Sequence, residues 1–375
     1  MKKKLGIIVN PVAGLGGRVG LKGTDGSEVV RKALELGATP ESPARAVEAL
    51  RSLAAGPAAD RFEVVTPPGN MGADEAKEAG LMPTIVGKNL NHQETTSEDT
   101  KQAARLMLEN NVDLLLFAGG DGTARDIYSV VGDKLPVVGI PAGVKMHSGV
   151  YATSPRSGAR LIAAYFTDDQ LPLREVEVMD IDEEAFREGS VSAKLYGYMN
   201  VPYEPSLVQG MKSGSSPGEG VSLQEVAAEV AKRIEPGTVY ILGPGTTTRA
   251  IAKELGVEKT LLGVDIFVDG KVIAKDVTYS QVEEAIEGKK AKIVITPIGG
   301  QGHIFGRGNQ QISPKVIKQV GKANIIVVST PEKLATLRGR PLLVDTGDPD
   351  VDIELSGFMR VVTAFNTETV CRVAT

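Results

Sequence analysis

Short apolar runs bounded by glycine or proline recur along the chain. Between them lie longer stretches with apolar residues at helical spacing. Runs this short and continuous read as strands buried on both faces. In the first half, strands are predicted over 4–9, 62–65, 84–86, 112–117 and 135–140, and helices over 28–36, 44–53, 74–79, 97–109, 124–131 and 154–166. Strand and helix alternating at this interval predict a doubly wound parallel sheet. Ser42-Pro43 and Ser154-Pro155 read as helix starts, with serine as the cap and proline in the first turn.

In the second half the pattern predicts strands over 174–179, 194–199, 239–242, 291–296, 325–329 and 342–344, and helices over 223–234, 249–255 and 280–287. Residues 266–273 read as a hairpin turning on Asp269-Gly270, and 209–220 as a loop. Residues 352–375 read as closing β structure. The expected fold class is α/β: a doubly wound parallel-sheet N-terminal domain over 1–170, then a second α/β domain over 171–375. The C-terminal segment of the second is expected to pack back on the first.

One predicted strand runs straight into chemistry. Leu114 to Phe117 leads into Ala118-Gly119-Gly120-Asp121-Gly122-Thr123. Open α/β sheets bind ligands at the carboxyl ends of their strands, where this turn lies. Three glycines let backbone N–H groups approach an anion closely, and the helix that follows aims more N–H groups at the same place. A carboxylate there repels phosphate, so Asp121 suits a metal or a proton. A plain strand-to-helix turn needs neither the acid nor the third glycine. Two further loops share this character. Asn10-Pro11 opens a glycine-rich loop through Gly14 to Gly26 that carries Arg18 and Lys22. Gly243-Pro244-Gly245-Thr246-Thr247-Thr248 opens the helix over 249–255. The first could hold an anionic ligand or be a solvated surface loop; the second reads as a phosphate-type loop at a helix N-terminus. After strand 135–140, Lys145 is either a ligand contact or a solvated lysine, and His147 either a ligand contact or a structural histidine.

Composition narrows the classes. A length of 375 residues favours two domains. A net charge of −5 argues against a nucleic-acid partner. One cysteine, Cys371, excludes an internal disulfide framework, and three histidines argue against a histidine-built zinc site. No apolar stretch is long enough for a membrane span, and the N-terminal apolar run breaks at Asn10-Pro11, too early for a signal peptide. The expectation is a cytoplasmic protein with small-molecule partners, no nucleic acid and no membrane.

Asn10-Pro11 with its glycines, then Gly119-Gly120-Asp121-Gly122-Thr123, then Gly139-Ile140-Pro141-Ala142-Gly143, resemble the superfamily of NAD kinases, phosphofructokinases and diacylglycerol kinases. The order of the first two motifs, about 110 residues apart, is similar to the ATP-NAD kinase-like branch, in its long archaeal and bacterial subgroup. The resemblance implies phosphoryl transfer from ATP or polyphosphate, with Mg²⁺, to the 2′-hydroxyl of NAD as substrate. It implies Asp121 as general base or orienter of that hydroxyl. It assigns Asn10, Gly14, Gly119, Gly120, Gly122, Thr123 and Lys145 to nucleotide binding, and no residue to a resident metal. Asn200, after strand 194–199, stands where the family has an asparagine followed by an acid, but Val201 follows it here. Gly245, Thr246 and Thr247 stand for the family's later glycine-rich segment. Homo-oligomers are common in the family.

The family's second domain is β-rich, whereas this one reads α/β. Its loops over 243–248 and 299–309 resemble the phosphosugar isomerase class, although Gln301-Gly302-His303-Ile304 has glutamine where the related deaminases have aspartate. Two other functions therefore stay open: a kinase for another small alcohol such as a sugar or polyol, and a non-catalytic nucleotide or phosphosugar sensor.

Overall fold

A computed structural model describes residues 2–21, 27–88, 95–143, 146–168, 171–181, 193–209 and 219–375. Lys145, the loop over 22–26 and most of the loop over 209–220 lie outside the described residues. The chain divides into two compact units. One holds Met1–Leu15, Gly23–Glu35 and Thr39–Gln209, the other Gly16–Lys22, Leu36–Ala38 and Gly210–Thr375. The main division thus follows Gln209, later than the boundary at 170 read from the sequence.

The first unit runs β1 (Lys3–Val9), α1 (Ser27–Glu35), α2 (Ser42–Ala54), β2 (Phe62–Thr66), α3 (Ala73–Glu78), β3 (Pro83–Ile85), α4 (Ser97–Glu109), β4 (Leu114–Gly119), α5 (Asp121–Val131), β5 (Val137–Pro141) and α6 (Pro155–Thr167). An antiparallel pair follows, β6 (Leu173–Ile181) and β7 (Ala193–Pro202). Strands β1 to β5 form a fully parallel sheet in the order β3-β2-β1-β4-β5. The continuous apolar runs have a plain cause. Leu114, Leu116 and Ala118 enter the core on one face of the sheet, Leu115 and Phe117 the core on the other. Neither face meets water, so neither alternate position can be polar.

Helix starts follow the serine-proline reading once and depart from it once. Ser154 accepts a hydrogen bond from the Ser157 N–H and caps α6. Ser42 is instead the first residue of α2, with Glu41 at the cap position and no side-chain capping bond. The helix predicted from 124 begins at Asp121, with Gly120 as its cap. This puts the acid inside the first turn, where the helix dipole favours negative charge.

Gly139 in β5 marks a close approach. A methyl group there would lie 2.6 Å from Tyr151 Cδ1 and 2.9 Å from Phe117 Cζ. These two rings pack edge to face, with centroids 5.6 Å apart. Gly139→Ala is therefore expected to lower the stability of this unit by about 1–3 kcal/mol through overpacking, read as a shift of the urea midpoint at constant slope.

The second unit holds α7 (Glu219–Lys232), β8 (Val239–Leu242), α8 (Thr246–Glu254), β9 (Asp265–Val268), β10 (Lys271–Ala274), α9 (Tyr279–Ile286), β11 (Ala291–Ile295) and β12 (His303–Phe305). It continues through α10 (Pro314–Val320), β13 (Ile325–Val328), α11 (Pro331–Ala335), β14 (Leu342–Val344), α12 (Pro349–Leu355), β15 (Gly357–Ala364) and β16 (Thr367–Ala374). Its nine strands form one mixed sheet, β10-β9-β8-β11-β13-β15-β16-β14-β12. Val239 and Ile241 of β8 enter one core and Tyr240 and Leu242 another, so this sheet too is covered on both faces. Asp269 and Gly270 both have positive φ, 45° and 79°, as the two-residue hairpin turn requires. The predicted closing β structure is β15 and β16, but its first residues belong to α12. Asp348 caps that helix by accepting the N–H groups of Asp350 and Val351, and Pro349 stands in its first turn.

Candidate active site

In the five-stranded sheet the strand order reverses between β1 and β4. The chain steps from β1 outward to β2 and β3, then crosses back to β4 and β5 on the other side. The crevice outside the carboxyl ends of β1 and β4 is therefore the switch point where such sheets place ligands. Asn10 follows β1 there, and Gly120 to Thr123 follow β4. The two segments are joined. Asn10 Nδ2 donates to Thr123 Oγ1 at 2.9 Å, and the Asn10 N–H donates to the Ala118 carbonyl at 3.0 Å. Asn10 Oδ1 accepts the Val12 N–H at 3.2 Å, which fixes the start of the following loop.

The glycines have distinct reasons. A side chain on Gly119 would collide with Thr123. Gly14, at φ +86°, lets the first loop pack on the loop after β5, because a methyl group there would lie 2.5 Å from the Ala142 carbonyl oxygen. Gly120 caps α5 with no side-chain capping bond, so the first N–H groups of that helix stay available to an anion. Arg45 Nε donates to the Pro141 carbonyl and holds the end of β5 from beneath.

Asp121 is only 5% exposed. Its Oδ2 accepts the His147 N–H at 2.6 Å and lies 3.2 Å from His147 Nδ1. Its Oδ1 accepts the Ser148 N–H at 3.1 Å. Ser148 in turn is tied to β6: its hydroxyl donates to the Met179 carbonyl at 2.8 Å and accepts the Met179 N–H at 3.0 Å. The Tyr151 hydroxyl donates to the Gly120 carbonyl at 2.6 Å. The acid is thus held at a fixed point beside a histidine, on a helix end that attracts phosphate.

The sequence-derived residues divide. Asn10, Gly119, Gly120, Asp121, Gly122 and Thr123 meet at the switch point, with Gly14 supporting the same loop. Asn200 does not join them. Its side-chain amide donates to the Asp133 carbonyl at 3.3 Å, beyond the last residue of α5, whereas Asp121 begins that helix. An eleven-residue helix is about 16 Å long. His147 and Ser148, which complete the Asp121 environment, come from the loop after the neighbouring strand β5. A histidine in that loop was the one available signal.

The second unit has its own polar convergence, at the carboxyl ends of the adjacent parallel strands β8, β11 and β13. Gly245, at φ +124°, caps α8 without a side-chain bond. Lys333, from α11 after β13, donates to Thr247 Oγ1 at 2.9 Å and to Thr296 Oγ1 at 3.2 Å. No spacing rule in the sequence ties Lys333 to Thr247. Thr246, Arg249, Ala250 and Lys253, one face of α8, line an open cleft of about 730 Å³ together with Lys259 and Lys275.

Lys259 is 8% exposed and donates to the carbonyls of Thr260 and Gly263 at 2.8 and 3.1 Å. Burial pushes its ammonium down to about 8, against the attraction of Asp265 and Asp276. The unfolded chain holds this proton up to about 10.5 and the folded chain only to about 8. Between these values the unfolded state binds more protons, so the contribution of Lys259 to stability rises with pH. The expected result is a stability difference between wild type and Lys259→Met that shifts in favour of wild type from pH 8 to 10.5. A difference that stays constant in urea titrations across that range would contradict it.

The model of the ATP-NAD kinase N-terminal domain matches residues 5–170, and that of the ATP-NAD kinase C-terminal domain matches residues 236–373. The chain belongs to the ATP-NAD kinase family, and it carries both of that family's domains. No curated protein matches the sequence. Among solved structures it is similar to a diacylglycerol kinase from Bacillus anthracis str. Sterne, at 17% identity and a TM-score of 0.25, over 48% of this chain and 46% of that one. The chain thus spans less than half the length of that kinase. It is also similar to a UDP-N-acetylglucosamine 2-epimerase, at 10% identity and a TM-score of 0.25, over 95% of this chain and 90% of that one. Likeness this low indicates neither a shared fold nor a shared activity. Among the described residues no helix is long and apolar enough to cross a membrane.

Proposed function

We propose that the chain is an NAD kinase-like phosphotransferase, moving a phosphoryl group from ATP or polyphosphate to the 2′-hydroxyl of NAD to give NADP. The observation that carries this reading is the placement of Asp121. A buried carboxylate stands in the first turn of α5, at the β1/β4 switch point, in a chain of the ATP-NAD kinase family. Two needs meet there. The start of α5, which has no side-chain capping bond, and the Gly119–Gly122 backbone suit the donor's phosphates. The negative charge of the acid suits the place of the accepting hydroxyl, whose proton must be taken up there. Phosphoryl transfer asks for little beyond positioning and charge stabilisation.

Among the described residues no three His, Cys, Asp or Glu side chains converge into a cation cage. In this reading Mg²⁺ enters on the donor's phosphates, which it binds through their oxygens. The test is incubation of the full chain with NAD, Mg²⁺ and each donor in turn, read by an NADP-specific dehydrogenase. NADP formed with one donor or both is the expected result. Folded chain that makes no NADP from either removes the proposal.

A further inference from the structure

We propose that His147 takes the proton of the accepting hydroxyl, and that Asp121 is the residue that positions it. This rests on the phosphotransferase reading above. The geometry assigns the roles. An ionised carboxylate only accepts hydrogen bonds, so the 3.2 Å contact between Asp121 Oδ2 and His147 Nδ1 requires the proton on Nδ1. The neutral ring then carries its lone pair on Nε2. That atom has no hydrogen-bond partner among the described residues and is not fully buried.

The Asp121 oxygens are differently placed. Both already accept backbone N–H groups, from His147 and Ser148. The carboxylate is thus engaged by the loop it holds, while the imidazole nitrogen beyond it is free to work. The side chains of His147 and Asp121 are 8% and 4% exposed, so their pairing is shielded from water. The loop is anchored independently of substrate, through Ser148 and the Met179 backbone.

In the step this implies, the O–H bond of the accepting hydroxyl breaks and its proton passes to Nε2. The oxygen's electron pair forms the new bond to the terminal phosphorus of the donor, a nucleoside triphosphate or inorganic polyphosphate. The P–O bond to the rest of the donor breaks, and its electron pair stays on the leaving oxygen. The imidazolium is stabilised against Asp121 and later gives its proton to water.

Two measurements on the full chain test this. Nitrogen-15 NMR of the histidine rings needs no substrate, and the His147 signal is found among three by its loss in His147→Gln. Neutral His147 is expected with its proton on Nδ1, and Asp121→Asn is expected to disturb that state. A ring protonated on Nε2 overturns the proposal. In NADP formation, His147→Gln is expected to lower kcat about 100- to 10,000-fold while KM for NAD changes less than about threefold. The double variant with Asp121→Asn is expected to be no slower than the worse single variant, because residues acting as a unit are not additive. NADP formed by wild type with undiminished kcat in His147→Gln removes this step alone. A wild-type chain that forms no NADP removes the phosphotransferase reading and this step with it.

Discussion

Asp121→Asn is expected to cut NADP formation about 100- to 10,000-fold with NAD binding kept within a few-fold. The substitution changes charge with little change of shape. Asparagine keeps one carbonyl oxygen, so it can still accept one of the two backbone N–H groups that now bind Asp121. Its amide nitrogen must then face the N–H of Ser148 or that of His147, and one buried donor loses its partner. The stability cost is about 1–3 kcal/mol, too little to unfold a domain outright. The larger loss is chemical. The side chain no longer compensates a proton arriving beside it, and it no longer holds the His147 ring with Nε2 as acceptor. A variant that binds NAD and keeps wild-type kcat would show that the acid serves structure alone.

The largest effect on stability is expected from Asp345→Ala. Asp345 follows β14 and Arg307 follows β12, two strands paired in parallel at one end of the nine-stranded sheet. Arg307 Nη2 lies 2.8 Å from Asp345 Oδ2, with the two side chains 3% and 6% exposed. Removing the acid takes the carboxylate at 2.8 Å away from a buried guanidinium, at a cost of about 3–5 kcal/mol. Urea unfolding of the second unit should show it as a lower midpoint. The paired change Arg307→Met with Asp345→Leu should recover most of the loss, since an apolar pair avoids burying either charge. A loss under about 1 kcal/mol for Asp345→Ala would mean that water reaches the site.

The parts legible in the sequence are those with a local cause. The run from Leu114 to Thr123 gave a buried strand, a turn and a helix start, because both faces of the sheet and the helix cap act within a few residues. The short helices α10, α11 and α12 were not foreseen. They hold five to seven residues, too few to show a period. Their caps were nonetheless visible in Ser313-Pro314, Thr330-Pro331 and Asp348-Pro349, the same signal that marks α6. In the site, distance along the chain set the limit. Gly119 to Thr123 were readable as one turn. The bonds from Asn10 to Thr123, from Asp121 to His147 and from Lys333 to Thr247 span 113, 26 and 86 positions. Which residues meet across such spans depends on strand order, and no spacing rule carries that. Asn200 shows the converse. Its motif position suggested a ligand contact, but the pairing of β6 with β7 brings it to the far end of α5.

The central claim is that the Asp121–His147 pair receives the ribose hydroxyl. A crystal structure of the full chain with NAD tests it most directly. The account predicts the adenosine-ribose 2′-hydroxyl within hydrogen-bond reach of His147 Nε2, at about 2.6–3.2 Å, with Asp121 still on Nδ1. NAD bound with that hydroxyl turned away from the pair, or bound nowhere near the β1/β4 crevice, would contradict it.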